Sequence, residues 1–143
     1  MAEDCINQAA TLAGIAEKPC VTAGLHIHGF HDQAEKFGTL AMYGSDAPAI
    51  QELIHTDNSL GAPLHPALPY CGAEVIWATR YEMARTLEDV LARRTRALPL
   101  NARAAIAMAP RVAELMANEL GRDNAWKAEQ TGTFMELAQG YLC

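Results

Sequence analysis

Glu74-Val-Ile-Trp-Ala-Thr-Arg-Tyr-Glu-Met-Ala-Arg-Thr-Leu-Glu-Asp-Val-Leu-Ala-Arg-Arg-Thr95 decides the fold class. Helix starts near Cys71 and carries Val75, Ile76, Trp77, Tyr81 and Met83. Thr86 followed three residues later by Asp89 resembles a capping box with Asp in place of Glu, so a fresh helix is expected through Leu87, Val90 and Leu91. Downstream, Asn101 is a good N-cap for a helix whose Ala105, Ile106, Ala109, Val112, Met116 and Leu120 hold one stripe. Gly121 ends it, and Pro110 should kink it, because the proline ring clashes with the carbonyl four residues back. Asp123 can cap a last helix with Phe134, Leu137, Ala138 and Tyr141 on one face.

Upstream, Glu3 to Ala16 places Cys5, Ile6, Ala9, Leu12, Ala13 and Ala16 on one side of a helical wheel, and Pro19 should stop that helix. Leu25 and Ile27 alternate with His26 and His28, a period of two that suits an extended segment too short and isolated to make a sheet. A short helix holds Phe37, Leu40 and Ala41 and ends at Gly44; another has Pro48 in its first turn and runs through Ile50, Leu53 and Ile54. Asp57 to Tyr70, with Gly61, Pro63, Pro66 and Pro69, reads as a long loop. The expected architecture is all-α: an orthogonal bundle of about six helices with one long Pro-rich loop.

Composition narrows the partners. A chain of 143 residues, half of them hydrophobic, buries one core. Its net charge of −6 argues against nucleic acid. The basic residues sit mainly from Arg80 onward. The cysteines Cys5, Cys20, Cys71 and Cys143 form no C-x-x-C pair, and reduced thiols in a cytosol are the simplest reading. No apolar run approaches a membrane span and the start lacks the pattern of a secretory signal, so a cytoplasmic location is expected.

Two groups of residues invite chemistry. His26 and His28 stand two apart on an extended segment and can share a metal, with His31 folding back after Gly29. A closed first shell is missing, so these three are weak metal candidates, and surface or capping roles are preferred. The arginines Arg80, Arg85, Arg93, Arg94, Arg96, Arg103 and Arg111 suit phosphate oxygens, but Asp89 with Arg93 and Glu82 with Arg85 have the spacing of ordinary helical ion pairs. Solvated pairs are therefore the first reading, and docking onto an acidic surface is the competing one. There is no G-x-G-x-x-G, G-x-x-x-x-G-K, G-x-S-x-G or H-E-x-x-H pattern. No catalytic or cofactor-binding residue is assigned.

Met1-Ala-Glu-Asp, Pro19-Cys-Val-Thr, Tyr43-Gly-Ser-Asp46 and above all Glu74 to Thr95, continuing into Leu100-Asn-Ala-Arg-Ala-Ala-Ile and Arg111-Val-Ala-Glu-Leu-Met, carry a resemblance. They resemble the helical C-terminal domain of flavin-dependent glycerol-3-phosphate dehydrogenases and alpha-glycerophosphate oxidases. The resemblance implies an FAD parent that oxidises sn-glycerol 3-phosphate to dihydroxyacetone phosphate with electrons passing to quinone, the parent being cytoplasmic or peripheral to the inner membrane. It further implies that residues 1–22 are the tail of the FAD domain's last helix plus a linker, and residues 23–143 the helical domain. The expected partner is the N-terminal FAD domain of the same chain, with self-association through the first helix as a second outcome. The fragment itself is expected to hold no cofactor and to be inactive alone. The alternative is a free-standing helical binding module, regulatory through the arginines or metal-binding through the histidines.

Overall fold

The computed structural model describes residues 1–16 and 18–142, and they fall into two compact units, Met1–Phe30 and His31–Cys143. In the first unit, α1 (Ala2–Leu12) stops earlier than Pro19 demands. Gly14 takes a left-handed φ of 66°; the N–H of Ile15 bonds the carbonyl of Ala10 at 2.9 Å and that of Gly14 bonds Thr11 at 3.2 Å. This Schellman closure satisfies the last carbonyls, and glycine adopts its geometry without a Cβ penalty. Thr22–Gly24 is a single 3-10 turn, so the alternation of Leu25 to His28 does not produce a strand.

The second unit holds the core. A 3-10 run, Ala34–Asp46, is broken at Gly38 and Gly44, whose φ values of 59° and 51° turn the chain into α2 (Ala47–Thr56). Pro48 occupies the first turn of α2, where its missing N–H has no intrahelical role. The expected loop from Asp57 to Tyr70 is instead a 3-10 turn, Asn58–Gly61, followed by a hairpin of β1 (Pro63–His65) and β2 (Leu68–Cys71). The pairing is antiparallel, Pro63 opposite Cys71 and His65 opposite Leu68, with an irregularity between them. Both strands of a lone hairpin are edges, which is why Pro63 and Pro69 are tolerated where a sheet interior would exclude them.

α3 (Gly72–Tyr81) leaves the hairpin directly and is buried from Gly72 to Thr79. Gly72 permits this: a Cβ there would lie 3.3 Å from the side chains of Leu60 and Leu115. The predicted box at Thr86 is present with Asp as its acid. Asp89 accepts the N–H groups of Arg85 and Thr86, both at 3.0 Å, and Thr86 Oγ1 accepts that of Asp89 at 3.2 Å. The helix it opens is not a plain α-helix, because Asp89–Arg94 is π-helical. A four-residue α4 (Ala97–Leu100) follows.

α5 (Ala102–Leu120) is capped by Asn101 and closed by Gly121 at φ 62°. It runs through Pro110, which lies on the exposed side, so the proline does not end the helix. α6 (Asn124–Gln139), capped by Asp123, packs mainly on α5 and buries Phe134 and Ala138. Leu137 and Tyr141 stay exposed, so the expected apolar face is narrower than its sequence suggested. The result is a mostly helical unit whose one small sheet is the hairpin. Phe134 is fully buried, and Phe134→Ala should lower stability by about 3–5 kcal/mol through lost burial and an unfilled cavity. Urea unfolding of both proteins measures it.

Candidate functional site

The centre of the second unit is a buried carboxylate. Glu74, 2% exposed, stands at the third position of α3, where it closes a capping box with Cys71. The Cys71 N–H donates to Glu74 Oε2 at 2.7 Å, and the Tyr43 hydroxyl donates to Oε1 at 3.1 Å. Burial raises the Glu74 carboxyl above the ordinary carboxylate range, and the donated hydrogen bonds only partly oppose it. Tyr43 and Cys71 are pushed up in turn, first by burial and then by the adjacent Glu74.

Beyond Tyr43 the surface opens into a groove of about 860 Å³ lined by Met42, Tyr43, Tyr70, Glu82, Arg93–Arg96, Pro99 and Leu100. Two non-glycine residues are left-handed, Arg96 in the lining at φ 55° and Met83, next to Glu82 in sequence, at φ 59°. The chain leaves α3 after Tyr81, so Glu82 and Arg85 do not share a helical turn, and Arg85 turns to the carbonyls of Thr79 and Ala84. Glu82 instead meets Arg94, Nε to Oε2 at 3.3 Å, while Arg94 also donates to the Glu82 carbonyl at 2.5 Å. Burial lifts the Glu82 carboxyl and Arg94 draws it back. Arg93 forms the expected contact with Asp89 at 3.7 Å and a closer one with Glu88 at 2.7 Å.

Three other arginines are structural. Arg80 makes a two-point pair with Glu119 at 2.5 and 2.8 Å, tying α3 to α5. Arg85 donates to the carbonyls of Thr79 and Ala84, and Arg111 pairs with Glu114. Sequence spacing identified the arginine series as a group but could not separate the members that line the groove, because that depends on the π-helical turn.

The histidines are dispersed in their contacts. His26 stacks on Phe30 at 3.8 Å, and His28 is exposed. His31 Nδ1 accepts the Gln33 N–H at 3.0 Å while its ring meets Phe37 edge-on. His65 Nδ1 accepts the Ala67 N–H at 3.1 Å, in the hairpin turn. Among the described residues, no three His, Cys, Asp or Glu side chains gather closely enough to hold a metal ion. Cys143 lies outside the described residues. Nor do the described residues fit a flavin: the one sheet is a hairpin without the βαβ crossover and glycine loop that cradle a dinucleotide.

Residues 30–129 of this helical chain match the C-terminal domain of alpha-glycerophosphate oxidase. The chain belongs to the family of the C-terminal domain of alpha-glycerophosphate oxidase. A probable mitochondrial glycerol-3-phosphate dehydrogenase of Caenorhabditis elegans is 32% identical over 98% of this chain and 23% of its own length. The human mitochondrial glycerol-3-phosphate dehydrogenase is 32% identical over 99% of the chain and 22% of its own length. A Synechocystis glycerol-3-phosphate dehydrogenase is 43% identical over 54 residues. The chain therefore spans less than a quarter of the length of the first two relatives, as a C-terminal domain of a larger enzyme does. No solved structure matches it.

The mitochondrial relatives overturn the expected cytoplasmic location and the inner-membrane periphery assigned to the parent. The cytoplasmic expectation rested on cysteine spacing and on the absence of a secretory signal, and neither distinguishes a cytosol from a mitochondrion; the inner-membrane one came only with the resemblance. Address is written in targeting segments, not in the body of a domain. No helix among the described residues is long and apolar enough to cross a membrane.

Glu74 supplies a pH test. Its folded pKa lies above the ordinary 4.5, so the folded state holds a proton that the unfolded chain releases. Its contribution to stability is full below that ordinary value and is lost as pH rises through the folded pKa. Glu74→Gln removes the titration while its carbonyl accepts from Cys71 and its amide donates to the Tyr43 oxygen. Unfolding free energies from about pH 4 to pH 7 should shift in favour of the variant, relative to the wild type, as pH rises; a constant difference would show that Glu74 is not perturbed.

Proposed function

We propose that this chain acts as the C-terminal accessory domain of an FAD-dependent glycerol-3-phosphate dehydrogenase, which oxidises sn-glycerol 3-phosphate to dihydroxyacetone phosphate and passes electrons to quinone. The observation that carries the reading is the lopsided coverage: relatives named for this activity match nearly all of this chain with under a quarter of themselves. Chemistry in such an enzyme belongs to the remaining three-quarters. This domain supplies a folded surface with its own core and contributes no flavin ligand.

Residues 1–22 are proposed as the tail of the flavin domain's last helix with its linker, and 23–143 as the helical domain. Support comes from α1, in which no residue is buried and Ile6 and Leu12 are 68% and 89% exposed. The family match begins only at residue 30. The N-terminal flavin domain is the proposed partner of that apolar stripe, with self-association as the outcome when it is lacking.

Two measurements test this function. Equilibrium dialysis of the 143-residue chain with FAD should show no retained chromophore and no oxidation of glycerol 3-phosphate. Grafting the chain onto the nematode relative in place of its matching segment should restore more glycerol 3-phosphate oxidation than the truncated enzyme shows; activity no greater than that of the truncated enzyme would count against the assignment. Hydrogen exchange addresses α1 separately. Amides of Ile6 to Ala13 should exchange faster than those of α5 in dilute protein, and slow down as concentration rises. Protection equal to α5 at every concentration would contradict the orphaned-helix reading.

A further inference from the structure

We propose that the groove between Tyr43 and Leu100 is a binding site for a phosphate-bearing small anion, held by Arg93, Arg94 and Arg96. Three arginines from four consecutive positions line one concavity. In a regular α-helix Arg93 and Arg96, three apart, would share a face, but Arg94 would stand about 100° round from Arg93. Here the π-helical segment Asp89–Arg94 widens the turn, and Arg96 leaves it in the left-handed region at φ 55°, ψ 25°. A left-handed conformation at a non-glycine residue costs free energy and is found disproportionately at ligand sites.

The three groups differ in how they are held. Arg94 is fixed by Glu82 and Arg93 by Glu88, and each guanidinium has five N–H donors, most of which those contacts leave over. Arg96 is exposed and carries no hydrogen bond or ion pair among the described residues. Two forks are thus oriented in advance and the third is available. The lining carries three arginines and one carboxylate, Glu82, with Glu88 and Asp89 also held against Arg93, in a chain of net charge −6.

A tetrahedral dianion accepts from several donors at once and suits a set of forks. An isolated carboxylate would be satisfied by one of them. Tyr70 is also among the lining residues, while Met42, Pro99 and Leu100 offer walls for the body of an ester. The volume lies in the range of small-molecule sites.

The assignment is independent of the flavoenzyme reading, because binding is measured on the 143-residue chain without flavin or turnover. Amide and Arg side-chain NMR signals would be followed during titration with inorganic phosphate, with glycerol 3-phosphate, and with sodium chloride at matched ionic strength. The expected result is a saturable shift centred on residues 93–96 with either phosphate compound, absent with chloride; the tighter of the two distinguishes free phosphate from an ester. Arg96→Asn keeps a residue that tolerates the left-handed backbone and should weaken binding about tenfold. Arg103→Gln, which removes an exposed arginine outside the groove, should leave it unchanged. Shifts that track ionic strength alone, or equal affinity in Arg96→Asn, would overturn the site.

Discussion

The hydrogen bonds that Cys71 and Tyr43 donate to Glu74 are the contact on which the second unit depends. A carboxylate with 2% of its surface exposed is costly unless its oxygens are satisfied, and here each oxygen has a donor from a different part of the chain. Cys71 ends the hairpin, Glu74 lies in the first turn of α3, and Tyr43 lies in the 3-10 run before α2. One side chain therefore fixes where three segments meet. Everything packed on α3 inherits its placement from that contact, including α5, which approaches α3 closely enough at Gly72 that a methyl group would crowd Leu115.

The groove follows from how the chain leaves α3. Had the helix continued past Tyr81, Glu82 and Arg85 would have paired on one turn, in the common pattern. Met83 in the left-handed region ends the helix instead, and Glu82 becomes available to Arg94, twelve residues on. The Thr86–Asp89 box restarts the chain as a helix, with Asp89 held below the ordinary carboxylate range: burial pushes it up, but the N–H groups of Arg85 and Thr86 and the nearby Arg93 outweigh that. Local backbone geometry, and not arginine count, sets which cations face the cavity.

Much of this was legible beforehand because it is local. The caps at Asn101 and Asp123, the box at Thr86 and Asp89, the stop at Gly121 and the proline in the first turn of α2 are each decided within a few residues. The hairpin at Pro63–Cys71 was missed because three prolines read as loop, and only the absence of a third strand makes them tolerable. Glu74 was missed as an anchor because its partner Tyr43 is 31 positions away. The histidines drew attention by spacing alone, and spacing does not say that His31 Nδ1 is occupied by the Gln33 N–H.

The first unit carries a different physical argument. An eleven-residue helix is below the length at which helices are stable in water on their own, and α1 has no buried residue to compensate. Its Schellman closure satisfies the last carbonyls of the helix, which is too little to hold it with Ile6 and Leu12 in water. Burying a few hundred Å² of such surface contributes about 25 cal/mol per Å², which is enough to tip the balance. An apolar stripe on a helix unable to stand alone leaves surface for a partner to cover. In the proposed reading, the polypeptide that makes up more than three-quarters of the relatives provides that surface.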